Sequence, residues 1–132
     1  MTELVYVHSK LMIVDDDTVI IGSANINDRS LTGTRDSEMA VLVQDTDKFP
    51  VKFNGKEHMA GRFAASLRRT VFREHLGIGE RDMEIDLSDP VCDDFYKNVW
   101  YHRATVNTSI YHKVSRCTCV LTAWRFKGLL SV

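Results

Sequence analysis

The stretch "VYVHSKLMIVDDDTVIIGSANINDRS", residues 5–30, decides how the rest of the chain is read. Val5 to Val14 and Thr18 to Ala24 are rich in β-branched residues and flank the acidic run Asp15-Asp16-Asp17, a strand, turn, strand pattern. Aspartate suits such a turn because its side chain bonds nearby backbone and tolerates unusual dihedrals. A two-residue loop, Asp16-Asp17, pairs Asp15 with Thr18 and sets Lys10 opposite Ser23 and His8 opposite Asn25. Side chains alternate faces along a strand. His8, Lys10, Met12 and Val14 are therefore expected to share a face with Val19, Ile21, Ser23 and Asn25, while Asp15 has the opposite parity. A slip of one residue would put Gly22 opposite Lys10 and scatter the group. Leu11, Ile13 and Ile20 fall on the second face, and aliphatics on both sides suit a sheet covered on both sides by helices.

An imidazole, an ammonium, a hydroxyl and an amide would thus gather at the open end of one hairpin. A neutral imidazole can attack phosphorus or pass a proton, and the other three groups can hold phosphoryl oxygens, with no metal required. A bare His-x-Lys pair is most often an exposed strand end. The longer spacing, His8-x-Lys10-x4-Asp15-x6-Gly22-Ser23-x-Asn25, is far more specific.

Position by position it resembles the HKD signature of the phospholipase D superfamily. The wider segment "ELVYVHSKLMIVDDDTVIIGSANINDRSLTGTRDSEMAVLVQDT" is similar to the second, C-terminal HKD motif of the eukaryotic phosphatidylcholine-hydrolysing enzymes. The likeness continues through "GKEHMAGRFAASLRRTVFREHLG", "DPVCDDFYKNVW" and "SIYHKVSRC". The resemblance implies a fold of the α/β class, a mixed sheet flanked by helices. It would be half of a two-lobed fold and incomplete at both ends. It also implies a site shared between two motifs across a pseudo-twofold axis, one histidine forming a phosphohistidine and the other acting as acid and base. By that analogy His8 is the acid/base histidine. Lys10, Ser23 and Asn25 match phosphate-binding positions, Asp15 matches the structural motif aspartate, and Glu38 in "RDSEMAV" matches the acidic residue that orients a histidine.

No second His-x-Lys motif occurs, since His112 and Lys113 are adjacent. After Cys117 the tail "TCVLTAWRFKGLL" leaves the family pattern. The expectation is a fragment carrying half a site and inactive alone.

Composition agrees with a globular chain. Of 132 residues 44% are hydrophobic, enough for a core, and 17 Lys and Arg face 18 Asp and Glu, which gives no polycation signal for nucleic acid. Cys92, Cys117 and Cys119 form neither a disulfide framework nor a zinc-type pair of motifs, so a reducing compartment is the default. The start lacks a signal-peptide pattern, and no apolar run approaches the ~20 residues of a membrane span. Without secretory context, the Asn107-Thr108-Ser109 sequon reads as chance.

Downstream, Asn54 to Leu76 reads as one helix, with Asn54 and Glu57 as a capping box, Gly77 as the stop, and Met59, Phe63, Leu67 and Val71 as its buried stripe. Arg62, Arg69 and Arg73 read as a solvated face. Asp89-Pro90 opens a helix to about Arg103 with Phe95 and Val99 buried, and a shorter helix covers Ser109 to Arg116. His58, His75, His102 and His112 read as surface or packing residues, and Trp124 and Phe126 as apolar surface. The domains expected are a catalytic half-domain at 1–77, an acidic linker at 78–88, a helical extension at 89–116 and a divergent tail at 117–132.

The reading is a phospholipase D-type phosphodiesterase that hydrolyses phosphatidylcholine to phosphatidate and choline, with no cofactor. Its implied partners are the first HKD half, a membrane surface carrying the substrate, and by resemblance phosphoinositides and small GTPases. Nucleic acid is not among them, and the implied location is cytoplasmic, peripheral on intracellular or plasma membranes. One alternative is a single-motif nuclease that builds its site by homodimerising, for which the motif sits too early and a basic cleft is lacking. Another is a non-catalytic fragment that competes for partners.

Overall fold

A computed structural model of the chain describes residues 7–79, 82 and 84–115, so the expectations for 117–132, with Trp124 and Phe126, lie outside it. The α/β class holds. Strands β1 (Leu11–Val14), β2 (Thr18–Gly22) and β3 (Ala40–Gln44) form one sheet in that order, and β4 (Lys48–Phe53) pairs with β5 (Lys56–Gly61) in a second. Every pairing is antiparallel. The helices are the single turn α1 (Asp28–Leu31), then α2 (Arg62–Leu76) and α3 (His102–Ser115), the last entered through a π-helical segment, Phe95–Tyr101.

The first hairpin corrects the expected register. Val14 pairs with Thr18 and Leu11 with Ile21, so three residues rather than two join the strands, and Lys10 stands opposite Gly22. The cause lies in the turn and what it touches. Asp15 and Asp16 both adopt positive φ, 53° and 51°, and the Asp17 N–H closes on the Val14 carbonyl at 2.9 Å. The Asp16 carbonyl then accepts from Gly61 N–H at 2.6 Å and the Asp17 carbonyl from Asp45 N–H at 3.1 Å. Neighbouring elements thus hold the longer loop. β1 is also shorter than the apolar run from Val5 suggests. Beyond Gly22 the chain leaves β1, and Ser23 N–H bonds Met39 O at 2.9 Å on the β3 side.

The helix expected from Asn54 begins only at Arg62, because Asn54-Gly55 is a hairpin turn. Phe53 pairs with Lys56, and φ is 48° at Asn54 and 79° at Gly55. Positive φ at both central residues is what a two-residue hairpin requires, and Asn-Gly is its preferred chemistry. The capping box therefore does not form. Instead the Asp45 carboxylate takes the Ala64 N–H at 2.9 Å in the first turn of α2. The buried side of α2 is Ala64, Ala65, Arg68 and Leu76, whereas Phe63 is 46% exposed and Met59, on β5, is 50% exposed. Ala64 and Ala65 thus take the fully buried positions, while Leu67 and Val71 of the expected stripe are half-buried. Gly77 ends α2 as expected: at φ 61° its N–H bonds Glu74 O, and Ile78 N–H bonds Arg73 O.

Arg68 was not anticipated as a core residue. Its guanidinium donates to both Asp16 carboxylate oxygens, at 2.7 and 2.8 Å, and to Leu87 O at 2.8 Å, with both side chains almost fully buried.

Leu76, Leu87 and Phe95 form the core cluster, with Phe72, Val99 and Trp100 packed against it. The acidic stretch after α2 is thereby held: Leu87 is buried, and Asp82 pairs with Arg103 at 2.6 Å. Phe95 is buried and Val99 half-buried, as expected, but α3 runs unbroken through Ser109. His75 packs on Trp100, and His58 stacks on Phe53 with its Nε2 2.7 Å from Asp15 O.

Candidate active site

The candidate site lies at the open end of the first hairpin, where β1 begins and β2 ends. Gly22 allows the geometry there. A Cβ at this position would stand 2.6 Å from Met39 O and 2.7 Å from Ala40 Cβ, so only glycine lets β2 and β3 meet this closely. Their closeness carries Ser23 across to Glu38.

His8 and Lys10 form one unit. Lys10 Nζ donates to His8 O at 2.7 Å and lies 3.0 Å from His8 Nδ1. The same ammonium lies 3.3 Å from His8 Nε2, so it stands against both ring nitrogens. On the other side, Ser23 Oγ donates to Glu38 Oε2 at 2.5 Å and accepts from Met39 N–H at 3.0 Å. Two hydroxyls, Ser23 first and Ser30 second, hold the Glu38 carboxyl below the usual glutamate range, and the charges of Lys10 and Arg29 add to the effect. Asn25 and Lys10 border an open cavity of about 480 Å³ whose floor is Met12, Ile20 and Ala40.

The three-residue turn thus changes how the predicted residues meet. Lys10 and Ser23 are not cross-strand partners; the field of Lys10 reaches Ser23's partner Glu38 instead. Strand alternation ends at Gly22, so Ser23 and Asn25 are aimed by β3 and α1 rather than by the pleat. Asp15 stands apart at the closed end of the hairpin, exposed, its carbonyl on His58. Glu38 was expected to orient a histidine, and here its carboxylate accepts from the Ser23 hydroxyl.

Two contributors escaped the sequence reading. Ser30 Oγ takes the Asn25 N–H at 3.1 Å, and Asn27 caps α1 by accepting from Ser30 N–H at 3.0 Å. The Asn-x-x-Ser spacing of a helix start was the available signal. Arg68 gave none, apart from its place three and four residues after two alanines.

Among the described residues no group of three or more His, Cys, Asp or Glu is placed to hold a metal ion. Nor is any helix there long and apolar enough to cross a membrane.

The sequence model of the phospholipase D family matches residues 2–115. The chain belongs to the phospholipase D family. It is 60% identical over 116 residues to phospholipase D1 of Homo sapiens, covering 88% of this chain and 11% of that protein. Phospholipase D2 of Bos taurus is 55% identical over 116 residues, with 88% and 12% covered. Phospholipase D zeta 1 of Arabidopsis thaliana is 53% identical over 117 residues, with 88% and 10% covered. The chain spans about a tenth of the length of these relatives.

Proposed function

We propose that this chain supplies the second HKD half of a phospholipase D-type site that hydrolyses phosphatidylcholine to phosphatidate and choline. The observation that carries the reading is the meeting of His8 with Lys10 beside Asn25, with Ser23 held on Glu38, at one hairpin end. Lys10 and Asn25 bind the phosphoryl oxygens, Ser23 assists them, and Asp15 shapes the turn.

The nucleophile is a histidine of the first HKD half. Its nitrogen attacks phosphorus and the P–O bond to choline breaks. His8 gives its proton to the departing choline oxygen. Water then loses a proton to His8 and attacks phosphorus, the P–N bond breaks, and phosphatidate leaves. Nucleophile and acid must lie on opposite sides of phosphorus, so one motif cannot complete the cycle. Phosphoinositides and small GTPases are carried as candidate partners on a cytoplasmic membrane face.

The test replaces the matching segment of human phospholipase D1 with this chain and measures choline release from phosphatidylcholine vesicles. The chimera should turn over, and His8→Asn should abolish the release. The isolated chain should release none. An inactive but folded chimera, or choline release by the pure monomer, would overturn the half-site reading.

A further inference from the structure

We propose that Asn27 is a positioning residue for Asn25, acting through a closed ring of three hydrogen bonds that also includes Ser30. The proposal rests on reading this hairpin end as a phosphodiester site in which Asn25 binds phosphoryl oxygens.

Asn25 N–H donates to Ser30 Oγ at 3.1 Å, Ser30 N–H to Asn27 Oδ1 at 3.0 Å, and Asn27 N–H to Asn25 O at 3.0 Å. Each residue of the ring gives one hydrogen bond and takes one. Both backbone groups of Asn25 are thereby committed, which leaves ligand binding to its carboxamide. With its N–H and C=O both held, the direction of its side chain is set, and so is the rim of the cavity that it shares with Lys10. The Asn27 carbonyl shares the Ser30 N–H at 3.2 Å and takes the Leu31 N–H at 3.1 Å, so the ring is continuous with α1.

Packing does not hold this segment. No residue of α1 is buried, and Ile26 and Leu31 are 86% and 64% exposed. A single turn has almost no stability of its own, so its hydrogen bonds decide where Asn25 sits. The remaining bonds of the segment lie on its far side. Thr32 Oγ1 donates to Asp28 O at 2.7 Å and Arg29 pairs with Asp36 at 2.6 Å, and neither contact involves Asn25 or Asn27.

The first measurement uses the full 132-residue chain. Asn27→Ala should speed hydrogen exchange at the Asn25 amide about 2- to 10-fold, the worth of one hydrogen bond. Asn27→Ser supplies a neutral cap of the same rank and should restore the parental rate. Thr32→Ala should leave that rate in place. If Asn27→Ala loses the fold, Ser30→Ala breaks the ring at its next member, with Ser30→Thr as the restoring change. Unchanged exchange in the alanine variant, an equal effect of Thr32→Ala, or no recovery with the restoring change would overturn the proposal.

The second measurement uses the chimera with human phospholipase D1 and reads kcat/KM on phosphatidylcholine vesicles. Asn27→Ala should lower it about 2- to 10-fold. In an Asn25→Ala background the same change should lower it no further, because the group that Asn27 positions is gone. Equal losses in the two backgrounds would make Asn27 merely structural and overturn the proposal while the phosphodiester reading stands. A folded but inactive chimera, or parental turnover in Asn25→Ala, would overturn the phosphodiester reading, and with it any role of Asn27 in a reaction, even where the exchange response is intact.

Discussion

Arg68 and Asp16 bond through two parallel contacts of 2.7 and 2.8 Å, with the arginine 5% and the aspartate 3% exposed. The pair joins the turn behind the candidate site to the middle of α2. It is more than an ion pair, because the same guanidinium also satisfies Leu87 O at 2.8 Å and so fixes the segment after α2. A planar fork can meet a carboxylate and a carbonyl at once, which a lysine ammonium on a flexible stem does poorly.

Removing one member of such a buried pair leaves the other charge uncompensated, at a cost of about 3–5 kcal/mol. Arg68→Ala should therefore lower the unfolding free energy by that order, and Arg68→Lys should recover only part of it. Denaturant unfolding of the three proteins checks this. An alanine variant as stable as the parent would show that the pair is not structural.

Gly22→Ala sets a methyl against backbone rather than against a yielding side chain. Overpacking of this kind costs about 1–3 kcal/mol, and the strain falls where β2 hands Ser23 to Glu38. The variant should melt lower and lose the lowered Glu38 titration midpoint together. Loss of one without the other would separate the strand contact from the site.

Acid should act on Glu38 and Asp86 with the same sign. Glu38 is lowered by the Ser23 and Ser30 hydroxyls, and Asp86 by the Ser88 N–H and hydroxyl. A carboxyl whose folded value lies below its unfolded value stabilises the fold above the unfolded value. That contribution is lost as the pH falls through the folded value. Melting temperature followed downward through the carboxylate range should thus fall less steeply in Glu38→Gln and in Ser88→Ala than in the parent. Identical acid slopes would remove both carboxyls from the account.

His8 and Lys10 should separate by substrate in the turning-over chimera. His8→Asn removes proton transfer, typically worth ~10²- to 10⁴-fold. The loss should be smaller for a nitrophenyl phosphodiester, whose leaving group needs no proton. Lys10→Arg keeps the charge but changes its shape, so both substrates should suffer alike. Equal losses on both substrates in His8→Asn would make His8 the nucleophile instead.

The hairpin and the Gly77 stop were legible because each depends on local chemistry. Alternating β-branched residues and a glycine in the left-handed region need no distant partner. The register was not legible, since it depends on Gly61 and Asp45, whose N–H groups hold the Asp16 and Asp17 carbonyls of the longer turn. Asn54 misled because Asn-x-x-Glu and Asn-Gly overlap in the same residues. The alternation of half-buried Phe49, Val51 and Phe53 before it was the better guide. The partner of Glu38, the Ser23 hydroxyl, comes from just beyond β2, which spacing alone does not reveal.

The aromatic cluster has an optical consequence. Trp100 lies 4.9 Å from Phe72 and 5.3 Å from His75, centroid to centroid, on the side of the molecule built from α2 and the π-helical segment. With Trp124 changed to Phe, its emission becomes a private reporter of that half. Such a signal follows the docking of the helices and is blind to the hairpin end that holds His8 and Lys10. Intrinsic fluorescence and amide exchange at Asn25 would then time two separate events in one molecule, with the Arg68–Asp16 pair as the link between their clocks.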